Sequence, residues 1–371
     1  MEFTINNRKQ QYINFYKDIN EMLEKSKNKQ HGDTQSDNTH DDTQSDNTHG
    51  KTPSDIYKLF PIQKIAQGAE GTVYLSHTKN VQNFIVKDID LHAIFVKKGL
   101  NKNILNKNPL QIYELFYKMK RNINMPSLIE TICYTLTNQL VFQNICPHFG
   151  LNYYWEYTNN KVDNKTNNKI IYYNEYANYS TFFDWAKIPR SQQEWMNLLV
   201  QIIISIICMQ KYFNIVHGDL HSLNILIYKV RVGGFWKYII DDKEYIIPNL
   251  GWVVLLTDFG FAYISGKVYI KWYYEDQIKQ LSKKQRVFYD FNYLSKDLIK
   301  QRQPVKNLLK VSLKKTTLKS SKYTLKDLLN DYYKEIIQPS YLPTQFIEIY
   351  NLNKPINKSL LPENFRELSK L

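Results

Sequence analysis

The stretch Ile215-Val216-His217-Gly218-Asp219-Leu220-His221-Ser222-Leu223-Asn224-Ile225-Leu226-Ile227 constrains the fold more than any other. An apolar, strand-like start leads to Asp219 on a loop, Asn224 follows five positions later, and an apolar run closes the stretch. Val253-Val254-Leu255-Leu256-Thr257-Asp258-Phe259-Gly260 repeats the pattern, a buried β-type run that ends in a carboxylate. Both segments spend apolar residues on a core and deliver polar oxygen groups at its edge.

Hard oxygen donors at strand ends, Asn224 and Asp258, with a separate carboxylate, Asp219, near a hydroxyl nucleophile, are what magnesium-dependent phosphoryl transfer requires. Upstream, Phe60 to Ser76 reads as a strand, a glycine turn and a second strand, with Ala66, Gly68, Gly71 and Val73 in and around the turn. Glycines there let backbone N–H groups approach phosphate oxygens with no Cβ in the way, although a plain Gly-rich turn has the same composition. Asn83-Phe84-Ile85-Val86-Lys87 ends the next apolar strand in a lysine, suited to phosphate charge or, more blandly, to the surface of an edge strand. A helix opening near Ser127 places Glu130 beside the apolar face of Ile132, Cys133, Leu136 and Leu140. Glu114, on an earlier predicted helix, is its rival as a carboxylate partner for Lys87. Two further strands follow, the second ending in Asn174-Glu175-Tyr176-Ala177, and an all-round apolar helix runs from Ser191 to Phe213.

Together, His217-Gly218-Asp219-Leu220-His221 with Asn224, and Asp258-Phe259-Gly260, resemble the catalytic and magnesium-binding loops of the protein-kinase superfamily. The resemblance covers residues 58 to 300 and implies a two-lobed α+β fold. A β-rich N-lobe would occupy 53–177 and a mainly helical C-lobe 178–371, with a basic C-terminal extension. It implies ATP and Mg²⁺ as cofactors, with Asp219 accepting the substrate hydroxyl proton and Asn224 and Asp258 holding the metal. Gly68 and Gly71 would be the second and third glycines of the nucleotide loop, Ala66 would replace the first, and Val73 would cover the adenine. Lys87 would meet the α- and β-phosphates, Glu130 would pair with it, and the backbone of Glu175 and Ala177 would bind adenine beside Asn174. Asp290 resembles the buried aspartate that braces the catalytic-loop backbone.

Several departures narrow the subfamily. His-Arg-Asp has become His217-Gly218-Asp219, which removes the arginine that pairs with a phosphorylated activation loop. His221 stands where lysine is usual, and would meet the γ-phosphate as a weaker, pH-dependent charge. No Ala-Pro-Glu triplet follows Phe261. Gly234 to Pro248 reads as an extra β-hairpin turning at Asp241-Asp242-Lys243, before Asp-Phe-Gly. These features resemble the divergent serine/threonine protein kinases of large cytoplasmic DNA viruses, and imply protein substrates and host-cell cytoplasm or virion. The catalytic loop is also similar to that of aminoglycoside and choline kinases, which act on small molecules; a nucleotide-binding pseudokinase is the third alternative.

Outside the motifs, Arg8 to Lys25 reads as an amphipathic helix within a 1–29 segment, its stripe formed by Tyr12, Phe15, Ile19, Met22 and Leu23. Residues 30–52 contain a tandem duplication, 33–40 and 42–49, with nothing apolar to offset ordering entropy; disorder is expected there. Lys+Arg 49 against Asp+Glu 35 gives a net charge of +14. A codon bias toward Lys, Asn, Ile and Tyr explains that surplus without a role. The lysines from Lys296 to Lys334 form either a solvated face or a docking surface for an acidic protein or nucleic acid. Cys133, Cys146 and Cys208 have no metal spacing and fit buried thiols in a reducing compartment. The N-terminus shows no signal-peptide pattern. Leu198 to Met209, the most apolar run, is too short to span a membrane.

Overall fold

The computed structural model describes residues 3–32, 60–67, 71–90, 126–162, 165–264, 268–270, 273–301, 304–317, 322–337, 343 and 346–361. The duplicated linker, Gly68 and Glu114 lie outside them. The chain divides into two compact units, Arg8–Asn108 with Tyr153–Tyr176, and Met1–Asn7 with Pro109–Asn152 and Ala177–Leu371. The architecture is mixed α+β, one unit rich in sheet and the other in helices.

In the sheet-rich unit, β1 (Ile62–Gln67), β2 (Gly71–Ser76), β3 (Phe84–Asp90), β4 (Asn152–Val162) and β5 (Lys165–Glu175) pair in the order β1-β2-β3-β5-β4. Side chains alternate across the sheet, so Phe84 and Val86 share one face of β3 and Ile85 and Lys87 the other. Helix α1 (Ile5–Gly32) covers the first of these faces. Its Phe15 ring lies 5.0 Å from Phe84, 5.4 Å from Tyr153, 5.5 Å from Tyr173 and 6.2 Å from Phe60. The amphipathic stripe therefore docks within the chain through Phe15 and Ile19, both buried. Two buried polar residues fix the docking: Arg8 makes a bidentate pair with Glu175, and Asp18 accepts from the Thr78 hydroxyl and from the Asn80 N–H at 3.0 Å.

In the helical unit, α2 (Pro126–Phe142) precedes β6 (Ser180–Thr181), α3 (Phe182–Lys187) and the central α4 (Gln192–Phe213). A Ser191–Glu194 capping box starts α4, and Asn214 ends it in the left-handed region at φ 56°. The full helix of 22 residues is long and apolar enough to cross a membrane, which corrects the length argument drawn from its apolar run alone. Within the fold, however, 83% of its most apolar 18-residue stretch is buried. Gln201 on α4 donates to Trp252 O at 3.0 Å and accepts from Val254 N–H at 3.1 Å, so the helix holds the strand that leads to Asp258.

Four strands frame the two motif loops. The pair β7 (Ile215–Val216) with β12 (Tyr263–Ile264) lies on one side, and β8 (Ile225–Lys229) with β11 (Trp252–Leu256) on the other. The expected hairpin is β9 (Phe235–Ile240) and β10 (Lys243–Pro248), joined by Asp241-Asp242 with Asp241 at φ 51°. Helices α5 (Lys283–Val287), α6 (Tyr289–Ile299), α7 (Lys306–Thr317) and α8 (Leu325–Tyr333) follow. Finally β13 (Glu348–Asn351) joins β9 in parallel, making the hairpin a three-stranded sheet. All three cysteines are buried and free.

Candidate active site

The loop from His217 to Asn224 is held from below by α6. Asp290, fully buried, accepts the N–H groups of His217 at 2.8 Å and Gly218 at 3.0 Å. Burial raises its pKa, while His217 and the two N–H donors pull it back. Asp297, two turns further along the same helix face, accepts the Ser222 N–H at 3.0 Å and hydroxyl at 2.6 Å. One helix thus clamps the loop at both ends. The expected Asp290 brace is present; Asp297 was not anticipated, although two carboxylates seven residues apart on one helix were a readable signal.

Gly218 explains the missing arginine. Its φ is +84°, and a Cβ there would meet Phe261 O at 2.2 Å. The Gly218 carbonyl in turn accepts from the Tyr273 hydroxyl. With the loop this close to the segment after Asp-Phe-Gly, no side chain fits at 218.

Asp219 lies on the partly exposed side of the loop. His221 Nε2 is 3.4 Å from Asp219 Oδ2, and each side chain keeps 26% of its surface. His221 Nδ1 accepts the Leu223 N–H at 3.2 Å, which assigns the proton of the neutral ring to Nε2, facing Asp219. Hydrogen bonding to Asp219, with the charges of Asp219, Asp297 and Asp258, raises the His221 pKa against desolvation. Asn224 Nδ2 donates to Asp219 O at 2.9 Å, so its Oδ1 is the end left to accept or ligate. The Asn224 carbonyl accepts the Thr257 N–H at 3.1 Å. That bond continues the Leu256–Ile225 register of β11 with β8, and it sets Asp258 beside the loop.

Asp258 adopts φ 63°, rare for a residue with a side chain, and its N–H faces the Tyr134 hydroxyl of α2 at 3.4 Å. Phe259 is fully buried, edge-on to Tyr134 at 5.7 Å and against His217 at 4.8 Å. A packed Phe259 thus anchors the left-handed turn at Asp258. Glu130 lies on α2 and is buried; Ala177, also buried, precedes β6.

The remaining candidates belong to the sheet-rich unit. Lys87 stands on the middle strand, opposite Val73 on β2 and Tyr172 on β5, so the edge-strand alternative is excluded. Val73 and Asn174 share its face by register. Ala66 is exposed opposite Val73, next to a bulge in β1. At Gly71 a Cβ would meet Asp88 O at 2.0 Å, so strand pairing alone demands that glycine. Glu175 ends β5 with its side chain on the α1 face, bound to Arg8.

No protein-family model matches the chain. Over 211 residues it is 23% identical to a probable serine/threonine-protein kinase of invertebrate iridescent virus 6, covering 54% of this chain and 36% of that protein. Over 118 residues it is 28% identical to a protein provisionally named serine/threonine-protein kinase in Acanthamoeba polyphaga mimivirus, covering 30% and 25%. A frog virus 3 protein under the same provisional name is 32% identical over 72 residues, covering 19% and 8%. The chain therefore spans at most 36% of the length of these curated relatives. A distant, kinase-like relationship to viral proteins is the class that these likenesses support, and the mixed α+β fold is compatible with it.

Proposed function

We propose that this chain is an ATP-dependent protein kinase that moves the γ-phosphate of Mg-ATP to serine and threonine hydroxyls of proteins, in the cytoplasm of a virus-infected host cell. The observation that carries the reading is the Asp219–Asn224 loop, braced at both ends by α6 and joined to Asp258 through the Asn224–Thr257 hydrogen bond. Asp219 takes the proton of the acceptor hydroxyl as its oxygen bonds to the γ-phosphorus; the bond to the β-phosphate oxygen breaks and ADP leaves. His221, with Nε2–H toward Asp219 Oδ2, orients that carboxylate and places positive charge near the transferred group when protonated.

The donor set suits magnesium. Asn224 Oδ1 and the Asp258 carboxylate are hard oxygens, and no group of three or more His, Cys, Asp or Glu side chains gathers among the described residues. Magnesium prefers one or two protein oxygens plus phosphate and water, so Asn224 and Asp258 would hold it. When bound, the ion supplies positive charge against the phosphate oxygens. Lys87 would meet the α- and β-phosphates, with Glu130 as its carboxylate partner.

A small-molecule kinase of the aminoglycoside kind would need an acidic pocket beside Asp219. The cavity next to His221 has one carboxylate in its lining, Asp297, already bound to Ser222, alongside Lys296 and Lys300. That favours a protein acceptor. A pseudokinase has no chemical need to retain all four of Lys87, Asp219, Asn224 and Asp258. Labelled ATP with generic protein substrates tests the reading: Asp219→Asn should lower transfer by about 10²–10⁴-fold. Equal labelling by both proteins would remove Asp219 from the mechanism.

A further inference from the structure

A cavity of about 720 Å³ opens beside the catalytic loop, wholly within the helical unit. His221 forms one wall, and Tyr289, Tyr293, Lys296, Asp297 and Lys300 form the α6 side. The cavity is linked to Asp219 through its His221 wall, whose Nε2 lies 3.4 Å from Asp219 Oδ2. Opposite α6, the amides of Gln277, Gln280 and Gln285 line the wall. The kinase mechanism gives roles to His221 and Asp297 but none to the three glutamines, Lys296 or Lys300.

Their charge points in one direction. From Tyr273 to Lys300 the chain has the basic residues Lys279, Lys283, Lys284, Arg286, Lys296 and Lys300 and the acidic residues Glu275, Asp276, Asp290 and Asp297. Asp290 is sealed under the catalytic loop and Asp297 is spent on Ser222, so of these charged residues Lys296 and Lys300 are the two left to act at the cavity. Lys296 and Lys300 are exposed at the cavity, and neither forms an ion pair with another described residue. Long amides and mobile ammonium groups around an open cavity suit an extended segment with carboxylate side chains. A small anion would instead need a desolvated, enclosed cation, and none of the cavity's lysines is buried.

We propose that this cavity is the acceptor subsite of the enzyme, and that it selects serine or threonine segments flanked by aspartate or glutamate, with Lys296 and Lys300 as the specificity-determining residues. The proposal rests on the protein-kinase reading. It assigns the basic stretch at Lys296–Lys300 a partner of defined chemistry, an acidic polypeptide.

The test uses the full chain, Mg-ATP and three peptides that share one serine core and differ in flanks: acidic, neutral or basic. Wild type should favour the acidic over the basic peptide by about tenfold or more in kcat/KM, mainly through KM. Lys296→Glu/Lys300→Glu should reverse that order. The gain on the basic peptide also shows that the variant is folded. Asp219-dependent labelling of all three peptides at equal rates, or an order unchanged in the double variant, would overturn the subsite and leave the kinase reading standing. Labelling of a small alcohol or of RNA but of no peptide would overturn both.

Discussion

At residue 218 a Cβ would lie 2.2 Å from the Phe261 carbonyl oxygen, on a backbone at φ +84°. Gly218→Ala should therefore cost about 1–3 kcal/mol, read as a lower urea midpoint. Gly218→Arg, which recreates the commoner kinase triplet, should be worse. An unchanged midpoint in both would mean that the loop relaxes away from Phe261. Three residues on, His221 ties stability to pH. Its hydrogen bond to Asp219 is the largest of the influences that raise its pKa above the ordinary histidine value of 6.5. A folded pKa above the unfolded one adds stability that is complete below about pH 6.5 and disappears as pH rises through the raised value. The Leu223 N–H on Nδ1 opposes protonation of that nitrogen and pulls the other way. The melting-temperature difference between wild type and His221→Gln should be largest in mild acid and shrink toward alkaline pH. A difference that grows with pH would show the Leu223 cap outweighing the ion pair.

Elements reveal what periodicity can and cannot carry. The apolar stripe of α1 was legible because Phe15 and Ile19 recur at helical spacing, yet Arg8 and Asp18, which fasten the helix, are invisible to a pattern that scores only apolar positions. The hairpin of β9 and β10 was legible from its Asp241-Asp242 turn; its third strand β13 was not, because that pairing joins residues far apart in sequence. The same non-locality hid the central place of β3, and so the position of Lys87. The motif residues were readable from identity and offset, whereas the reason for Gly218 lies in Phe261, on another loop. The α1 attachment can be measured. Arg8 and Glu175 keep 4% and 2% of their side-chain surface, so Arg8→Ala strands a buried carboxylate and should cost about 3–5 kcal/mol. Arg8→Met with Glu175→Leu removes both charges and should recover most of that loss. A double variant as unstable as the single would place the cost in lost packing of α1, not in the unpaired charge.

The residues proposed for the nucleotide come from both compact units: Val73 and Lys87 from the sheet-rich one, Asn224 and Asp258 from the helical one. The function can therefore be tested on the whole chain without any acceptor substrate. A ligand that binds only the folded protein stabilises it by about 2.7 kcal/mol at a hundred times its Kd, so Mg-ATP should raise the melting temperature measurably. Asp258→Ala would remove the proposed metal oxygen and Lys87→Ala the proposed phosphate contact, and each should shrink the shift, the first most clearly when magnesium is present. Magnesium-independent stabilisation would assign the nucleotide contact to other groups than Asn224 and Asp258. A shift that survives Lys87→Ala but not Asp258→Ala would confine binding to the helical unit. Absence of any shift in wild type would leave the braced loop as the frame of a binding module, because a kinase must hold its phosphate donor before Asp219 can act.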